Sequence, residues 1–532
     1  MNKYCITSIR IFNYLVALLP LTMVVFLSIV YLFGGWENII EGHDVNYYFL
    51  TKISFSALGV TIAVTWIAIA AFLVWIINIL QKKIIKANKY KHLFCGIFIF
   101  LIAFGIRCLL VYIFADNLLP FSDFNYAWLR AQGRLDDGYI NYYSIFPSYM
   151  TFSLYENKVI LFFGENYYTV LFLNAVYSGI TASLLYFLSK ELEFNEVSCI
   201  TSGIIYALYP SNIVFTTAGA PDFLAILFNT MGLLILLKSD KKEKDYHKLL
   251  LCLLGGVLLG IGGSFKSFSL VIVIAFSMTI LVKHMLNCER RLVAFVSAVL
   301  MIAVVFVGYK GSSAIILEQT SDFYNIELDS KTATPHYLLV GLNTKSEGQI
   351  HLGSISRSYY QEYLSNGKDY EAAKDHALVL LKNDWRDNKR DILPNFGKKM
   401  IWAWQDDYIP VGFFLNNSGI YCNTISKKAI YNVLNNYGGL MTEVTYLGVF
   451  IFAIIGTVYF ARSKKINFSF EVLALEIFGY FCLILLSEGQ SRYKCLITGC
   501  VCIIASKGID VLRSYVKSRW IDKRSIIDTG EK

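Results

Sequence analysis

The sequence predicts an all-α polytopic membrane protein of about twelve transmembrane helices, with one large extracytoplasmic segment of mixed structure. Three observations predict it. Hydrophobic residues make up 56% of the 532 and charged residues only 16%, where soluble chains hold about a quarter charged. The apolar residues gather into runs of about 17–25 residues, the length that spans a bilayer. In lipid a segment must satisfy its own backbone hydrogen bonds, so such runs are helices.

The first run, "YLVALLPLTMVVFLSIVYLF" at 14–33, is longer than a signal core. It contains Pro20 and ends without a small-residue cleavage pattern, so it is expected to remain as a helix. Runs at 58–80 and 93–115 follow, then 168–188, 197–213, 222–237, 249–263, 268–286 and 292–309. Three more close the chain, at 441–461, 468–487 and 494–512. The stretch 145–164, "IFPSYMTFSLYENKVILFFG", is too interrupted for a span and reads as a helix lying at or dipping into the interface. Repeats and low-complexity tracts are not evident.

Between the ninth and tenth runs lie about 130 residues, far beyond ordinary loop length and so a folded piece. Residues 370–385 have helical spacing, with Asn366 and Asp369 as candidate caps. Residues 393–408 read as a second helix with Pro394 near its start. "TPHYLLVGLNTKSEGQIHLG" at 334–353 reads as a Gly-punctuated loop. Four regions result: a pair of helices at 1–92, a core at 93–309, the extracytoplasmic segment at 310–440, and closing helices with a basic tail at 441–532.

Lysine and arginine in short loops stay cytoplasmic. The link 81–92 has five lysines and no acid, and 238–248, 462–465 and the tail from Arg513 are net basic. Residues 34–51 carry three acids and no Lys or Arg. A cell-membrane protein with both termini cytoplasmic satisfies all of these. The net charge of +9 then belongs to inner loops facing anionic headgroups and gives no support for nucleic-acid binding. Of eleven cysteines only Cys422 falls in an outer loop, so the outer segment is no disulfide scaffold. Cys495, Cys500 and Cys502 crowd the last run without a His or hard ligand and read as small apolar packing.

This orientation puts Asp123, Asp222, Lys266 and the pair Glu488/Arg492 on one face of the bilayer, beside the outer segment. Each alone is adequately explained as a solvated charge; their co-location, with both signs present, makes them candidates. Asp123 follows a membrane run among Phe121, Phe124, Tyr126 and Trp128, aromatics that also suit an interfacial belt. A carboxylate there can act as general base for a hydroxyl. Lys266, in "GGSFKSFS", either snorkels to the surface or binds a lipid phosphate. Arg492 follows Glu488 by four positions, as an i,i+4 pair or as a guanidinium fork on phosphate that Glu488 orients. Nucleotide phosphate loops, G-x-S-x-G elbows, HExxH and kinase motifs are absent, so ATP-driven transport and zinc hydrolysis are unsupported.

"FSDFNYAWLRAQ", the stretch 173–236 with its Tyr-Pro-Ser at 209–211, "GGSFKSFSLVIVI" and "EGQSRYKCLITGCVCIIASKGI" together resemble the GT-C membrane glycosyltransferases. The bacterial branch related to protein O-mannosyltransferases and aminoarabinose transferases is the nearest in pattern, over roughly residues 95–310 and 395–512. The resemblance implies inverting transfer of a sugar from a polyprenyl-phosphate carrier to an acceptor hydroxyl on the outer face: an envelope glycan, lipid or protein. It implies Asp123 as catalytic base and Asp222 as a second acid. It also implies Lys266, Arg492 and Tyr493 at the donor phosphate, with Glu488 in support. Phe124 stands where the mannosyltransferases carry a second acid, and the helices of 11–80 precede the family core. The scheme requires no cofactor, while Asp222 leaves a divalent metal open. Two other readings stand beside it: an O-antigen-type polymerase or ligase using lipid-diphosphate glycans through His336, His351, Arg357 and Arg386, and a transporter without chemistry.

Overall fold

A computed structural model describes residues 7–8, 11–12, 14–32, 55–84, 88–114, 119–135, 144–287, 291–344, 362–363, 369–407, 411–412, 414–415, 424–463 and 466–529. Among these residues there is no strand. The membrane helices are α1 (Leu19–Leu32), α2 (Ala57–Ile84) and α3 (Asn88–Phe114). After two shorter helices, α4 (Ser122–Ala131) and α5 (Pro147–Phe163), come α6 (Tyr167–Glu191), α7 (Glu196–Ala207), α8 (Pro210–Phe215) and α9 (Asp222–Ser239). The core closes with α10 (Asp245–Phe265), α11 (Ser269–Asn287) and α12 (Arg291–Tyr324). The long segment between the ninth and tenth apolar runs contributes α13 (Ala333–Leu342), α14 (Tyr370–Asp387) and α15 (Ile392–Trp404). Then come α16 (Ile425–Arg462), α17 (Phe468–Leu486), a 3₁₀ turn (Ser491–Lys494) and α18 (Cys495–Thr529).

All twelve apolar runs are helical, and ten lie in helices long and apolar enough to cross a membrane. The chain is a multi-pass membrane protein. The other two runs form shorter helices, α7 and α11. The 12 residues of α7 reach only about 18 Å of a hydrocarbon core about 30 Å thick. Pro210 stops the run, because it has no N–H to continue the ladder. Freed carbonyls at this break find side-chain donors. The buried guanidinium of Arg107 on α3 donates to the carbonyls of Ala207 at 2.9 Å and Ala103 at 3.0 Å. The Trp66 indole donates to Leu208 O at 3.0 Å. A cation on the C-terminal carbonyls of a helix is favourable, so the break is held open and rigid.

α10 and α12 meet along a seam of glycines. A Cβ on Gly256 or Gly260 would overlap the Val305 or Tyr309 carbonyl, and one on Gly308 would overlap that of Leu253. In a bilayer this close backbone approach supplies the packing that burial from water cannot.

In that long segment α14 starts at its expected cap, Asp369, which accepts from the backbone N–H of Glu371 at 2.9 Å and Ala372 at 3.2 Å. α15 matches the second expected helix. The stretch starting at 334 is corrected: residues 333–342 are helix, not loop. Pro335 falls in the first turn, where it costs no hydrogen bond, and burial of Leu339 and Val340 outweighs the glycine. Residues 345–353, Asn366 and Cys422 lie outside the described residues.

Candidate active site

The four expected charged positions come from separate parts of the chain and meet at one end of the bundle. Asp123 stands in the first turn of α4. Asp222 opens α9, and Lys266 caps the C-terminus of α10. Glu488 follows α17, while Arg492 and Tyr493 lie on the 3₁₀ turn. Helices that enter and leave this end alternate, as antiparallel neighbours must.

Two acid–cation pairs form there. Arg492 Nη2 is 3.9 Å from Asp123 Oδ2, and Lys266 Nζ is 3.7 Å from Asp222 Oδ1. The Tyr493 ring stands between them, with Lys266 4.4 Å and Arg492 5.2 Å from its centroid. Both cations lie within cation–π reach of the same ring, which favours holding both close despite their repulsion. Both pairs are looser than a hydrogen bond, so either cation can be re-partnered by an anion. Asp123 is the open member, with 36% of its side chain exposed against 14% for Arg492. Its Oδ2 accepts from Tyr149 Oη at 3.2 Å. Burial first and the Asp123 carboxylate second push the Tyr149 hydroxyl well above its ordinary value, so it stays a donor. Asp222, by contrast, is buried and meets the Cys495 thiol at 4.0 Å.

Glu488 does not form the helical i,i+4 pair with Arg492, because residues 487–490 are not helical. Its carboxylate accepts instead from Tyr493 Oη at 2.9 Å and from the Gln490 amide. Burial raises its pKa, against the lowering pull of Arg492 and Lys266. Glu488 thus fixes the Tyr493 ring that both cations face.

Sequence reasoning missed what holds this turn. α15 clamps it at both ends. At the near end the buried Lys399 donates to the carbonyls of Gly341 and Leu485, each at 2.9 Å, and a Cβ on Gly489 would run into the Lys399 side chain. At the far end the Asp406 carbonyl accepts from Ser491 Oγ at 3.1 Å and from the Lys494 ammonium. Asp407 pairs with Lys494 at 3.5 Å, accepts from the Ser211 hydroxyl, and donates its N–H to Glu443 at 2.7 Å. A cavity of about 10 Å³ between Ser211, Asn212, Asp407 and Arg492 has room for about one water. The only sequence signal was the acidic pair ending the expected helix at 393–408.

Burial pushes Lys399 down from its usual 10.5 to about 7. Below that pH it is charged folded or unfolded. Between the two values only the unfolded chain binds the proton, so this residue makes stability rise with pH across that window. We expect the thermal midpoint to gain more between pH 7 and 9 in the wild type than in Lys399→Met, as read by unfolding in detergent. Equal gains would show that Lys399 is not the titrating group.

Of the residues a polymerase or ligase reading enlists, His336 is buried against Phe146, with ring centroids 5.0 Å apart. Arg386 pairs with Asp387 at 2.9 Å on the surface. His351 and Arg357 lie outside the described residues. Among the described residues no three His, Cys, Asp or Glu side chains gather as a metal site.

The family model described as dolichyl-phosphate-mannose-protein mannosyltransferase matches residues 140–313. The resemblance to GT-C glycosyltransferases is borne out by that match. No curated protein sequence matches the chain. Among solved structures, the apo crystal structure of the Archaeoglobus fulgidus oligosaccharyltransferase is similar at 14% identity and a TM-score of 0.44. That similarity covers 82% of this chain and 52% of the other, so this chain spans about half its length.

Proposed function

We propose that this chain, similar over its core to the mannosyltransferase family, is an inverting glycosyltransferase. It moves a sugar from a polyprenyl-phosphate carrier to an acceptor hydroxyl on the outer face of the membrane. The observation that carries the reading is the Asp123–Arg492 contact: an open carboxylate within 4 Å of a cation that a phosphate can take over. Lys82 and Lys83 at the end of α2, Lys238 at the end of α9, the 238–248 link and Arg462 at the end of α16 fall at helix ends away from this cluster, which supports an outer active site.

In the reaction the acceptor oxygen attacks the anomeric carbon. Its bond to the phosphate oxygen breaks, and the electron pair leaves with the phosphate. Asp123 takes the acceptor proton, positioned by the Tyr149 hydroxyl. A phosphate already bears charge, so its departure is helped by cations more than by an acid. Lys266 and Arg492 supply them, oriented across Tyr493 by Glu488. Asp222 holds Lys266 in place. This scheme draws on no cofactor; a divalent metal, if used, would look to the acids. The acceptor is an envelope glycan, lipid or protein.

The test is donor consumption by the purified chain offered polyprenyl-monophosphate and polyprenyl-diphosphate sugars side by side. We expect the monophosphate to be consumed. Use of the diphosphate alone would transfer the chain to the polymerase or ligase class.

A further inference from the structure

A groove of about 590 Å³ runs between α2, α7, α16 and α18, and its walls are largely hydrocarbon, Ile204 and Val449 among them. Its lining residues on α2 extend from Trp66 to Asn78, about 18 Å of helix. Half of a hydrocarbon core about 30 Å thick is about 15 Å, so the groove serves one leaflet. One end is sealed at the break after α7, where the Trp66 indole donates to Leu208 O at 3.0 Å. The other end points away from the charged cluster. Arg513, which lines it, lies about 27 Å along α18 from the start at Cys495, and Asn78 stands one turn before Lys82 at the end of α2.

This far end carries polar groups that the protein does not satisfy. Arg513 is the charged residue of the lining, and among the described residues it meets no acid. The acids beside the lining residues are committed elsewhere. Asp510 pairs with Lys507 at 3.0 Å, while Glu196 accepts from Tyr186 and lies 3.7 Å from Lys190. Asn78 Oδ1 is buried and accepts no hydrogen bond from the described residues. A guanidinium is matched by a phosphate, and an amide oxygen by a hydroxyl donor. Lys82 and Lys83 end α2 on the same side, and Lys517 follows Arg513 by one turn. Cations so placed at helix ends attract anionic lipid headgroups.

We propose that this groove binds an anionic glycerophospholipid of the leaflet opposite the charged cluster, the cytoplasmic leaflet in the orientation given above. An acyl chain fills the trough as far as Trp66, the phosphate meets Arg513, and a headgroup hydroxyl meets Asn78. The lipid then joins α2, which precedes the transferase-like core, to α7 and α18 within it. This site stands apart from the charged cluster and does not depend on the reaction assigned there.

The test is native mass spectrometry of the full chain, delipidated in detergent and titrated with phosphatidylglycerol or phosphatidylcholine of the same acyl chains. We expect one phosphatidylglycerol to be held about tenfold more tightly than phosphatidylcholine. Arg513→Ala is expected to weaken phosphatidylglycerol by about fivefold and to leave phosphatidylcholine unchanged. Gly448 lines the groove, and a Cβ built there meets open space. Gly448→Leu therefore enters the trough without a backbone shift and is expected to abolish the retained lipid. Ala71→Phe fills the same space from α2 and carries the test where Gly448→Leu does not fold. Equal retention of the two lipids, or phosphatidylglycerol binding that Arg513→Ala leaves unchanged, would overturn the headgroup site. Retention unaffected by a filled groove would overturn the groove as the place of binding.

Discussion

We expect Asp123→Asn to abolish transfer while insertion, yield and thermal midpoint stay at wild-type values. The amide keeps the shape and can still accept from Tyr149, whose hydroxyl lies 3.2 Å from the carboxylate. It cannot take a proton. Loss of a positioned base costs on the order of 10²–10⁴ in rate, and the 36% exposed side chain makes a folding defect an unsuitable explanation. Asp222→Asn is the informative partner. That acid is buried against Lys266, so we expect a smaller fall, seen mainly as weaker donor use. Donor consumption measured on both variants decides between them. Activity retained in Asp123→Asn and lost in Asp222→Asn would exchange the two roles.

The second large effect is expected at Arg492. Its guanidinium lies 5.6 Å over Phe124 as well as beside Tyr493 and Asp123, and in the proposed reaction its removal would leave the donor phosphate with Lys266 alone. Losing one such electrostatic contact costs about 10²–10³ in kcat. Arg492→Lys restores the charge without the planar fork, so it should recover only part of the loss. The check is initial rate against donor concentration for wild type, Arg492→Ala and Arg492→Lys. An Ala variant with unchanged donor dependence would remove Arg492 from the phosphate site.

The membrane helices were legible because each is written as an unbroken apolar run, and lipid allows such a run no other structure. The break between α7 and α9 was legible only as a Tyr-Pro-Ser segment. That Arg107 and Trp66 would come from two other helices to cap it is a tertiary fact with no local trace. The residue at 123 and its companions could be placed on one face by counting crossings. Which acid met which cation could not, since the pairings depend on how α4, α10 and the 3₁₀ turn are set against one another. Glu488 and Arg492 show the limit clearly: four positions apart, they looked like a helical pair, and the chain between them is not a helix. Lys399 and the acids at 406 and 407 were passed over because a soluble amphipathic helix carries such residues on its wet side. Here that side is buried against Gly341, Leu485 and the turn.

The clamp around that turn also has a direction in time. Gly341, Lys399, Asp406 and Asp407, which hold the turn, and Ser211 and Glu443, which brace Asp407, all precede residues 487–494 in the chain. As the chain emerges from the ribosome, the frame is therefore made before the part it frames. The carboxylate at 123 is made several hundred residues ahead of the arginine that meets it. A chain stopped before residue 487 thus holds Asp123, Asp222 and Lys266 and none of the turn that carries Arg492. The charged cluster is therefore complete only once α17, the turn and the start of α18 have joined a frame made earlier, so its assembly is a late event in the synthesis of the chain.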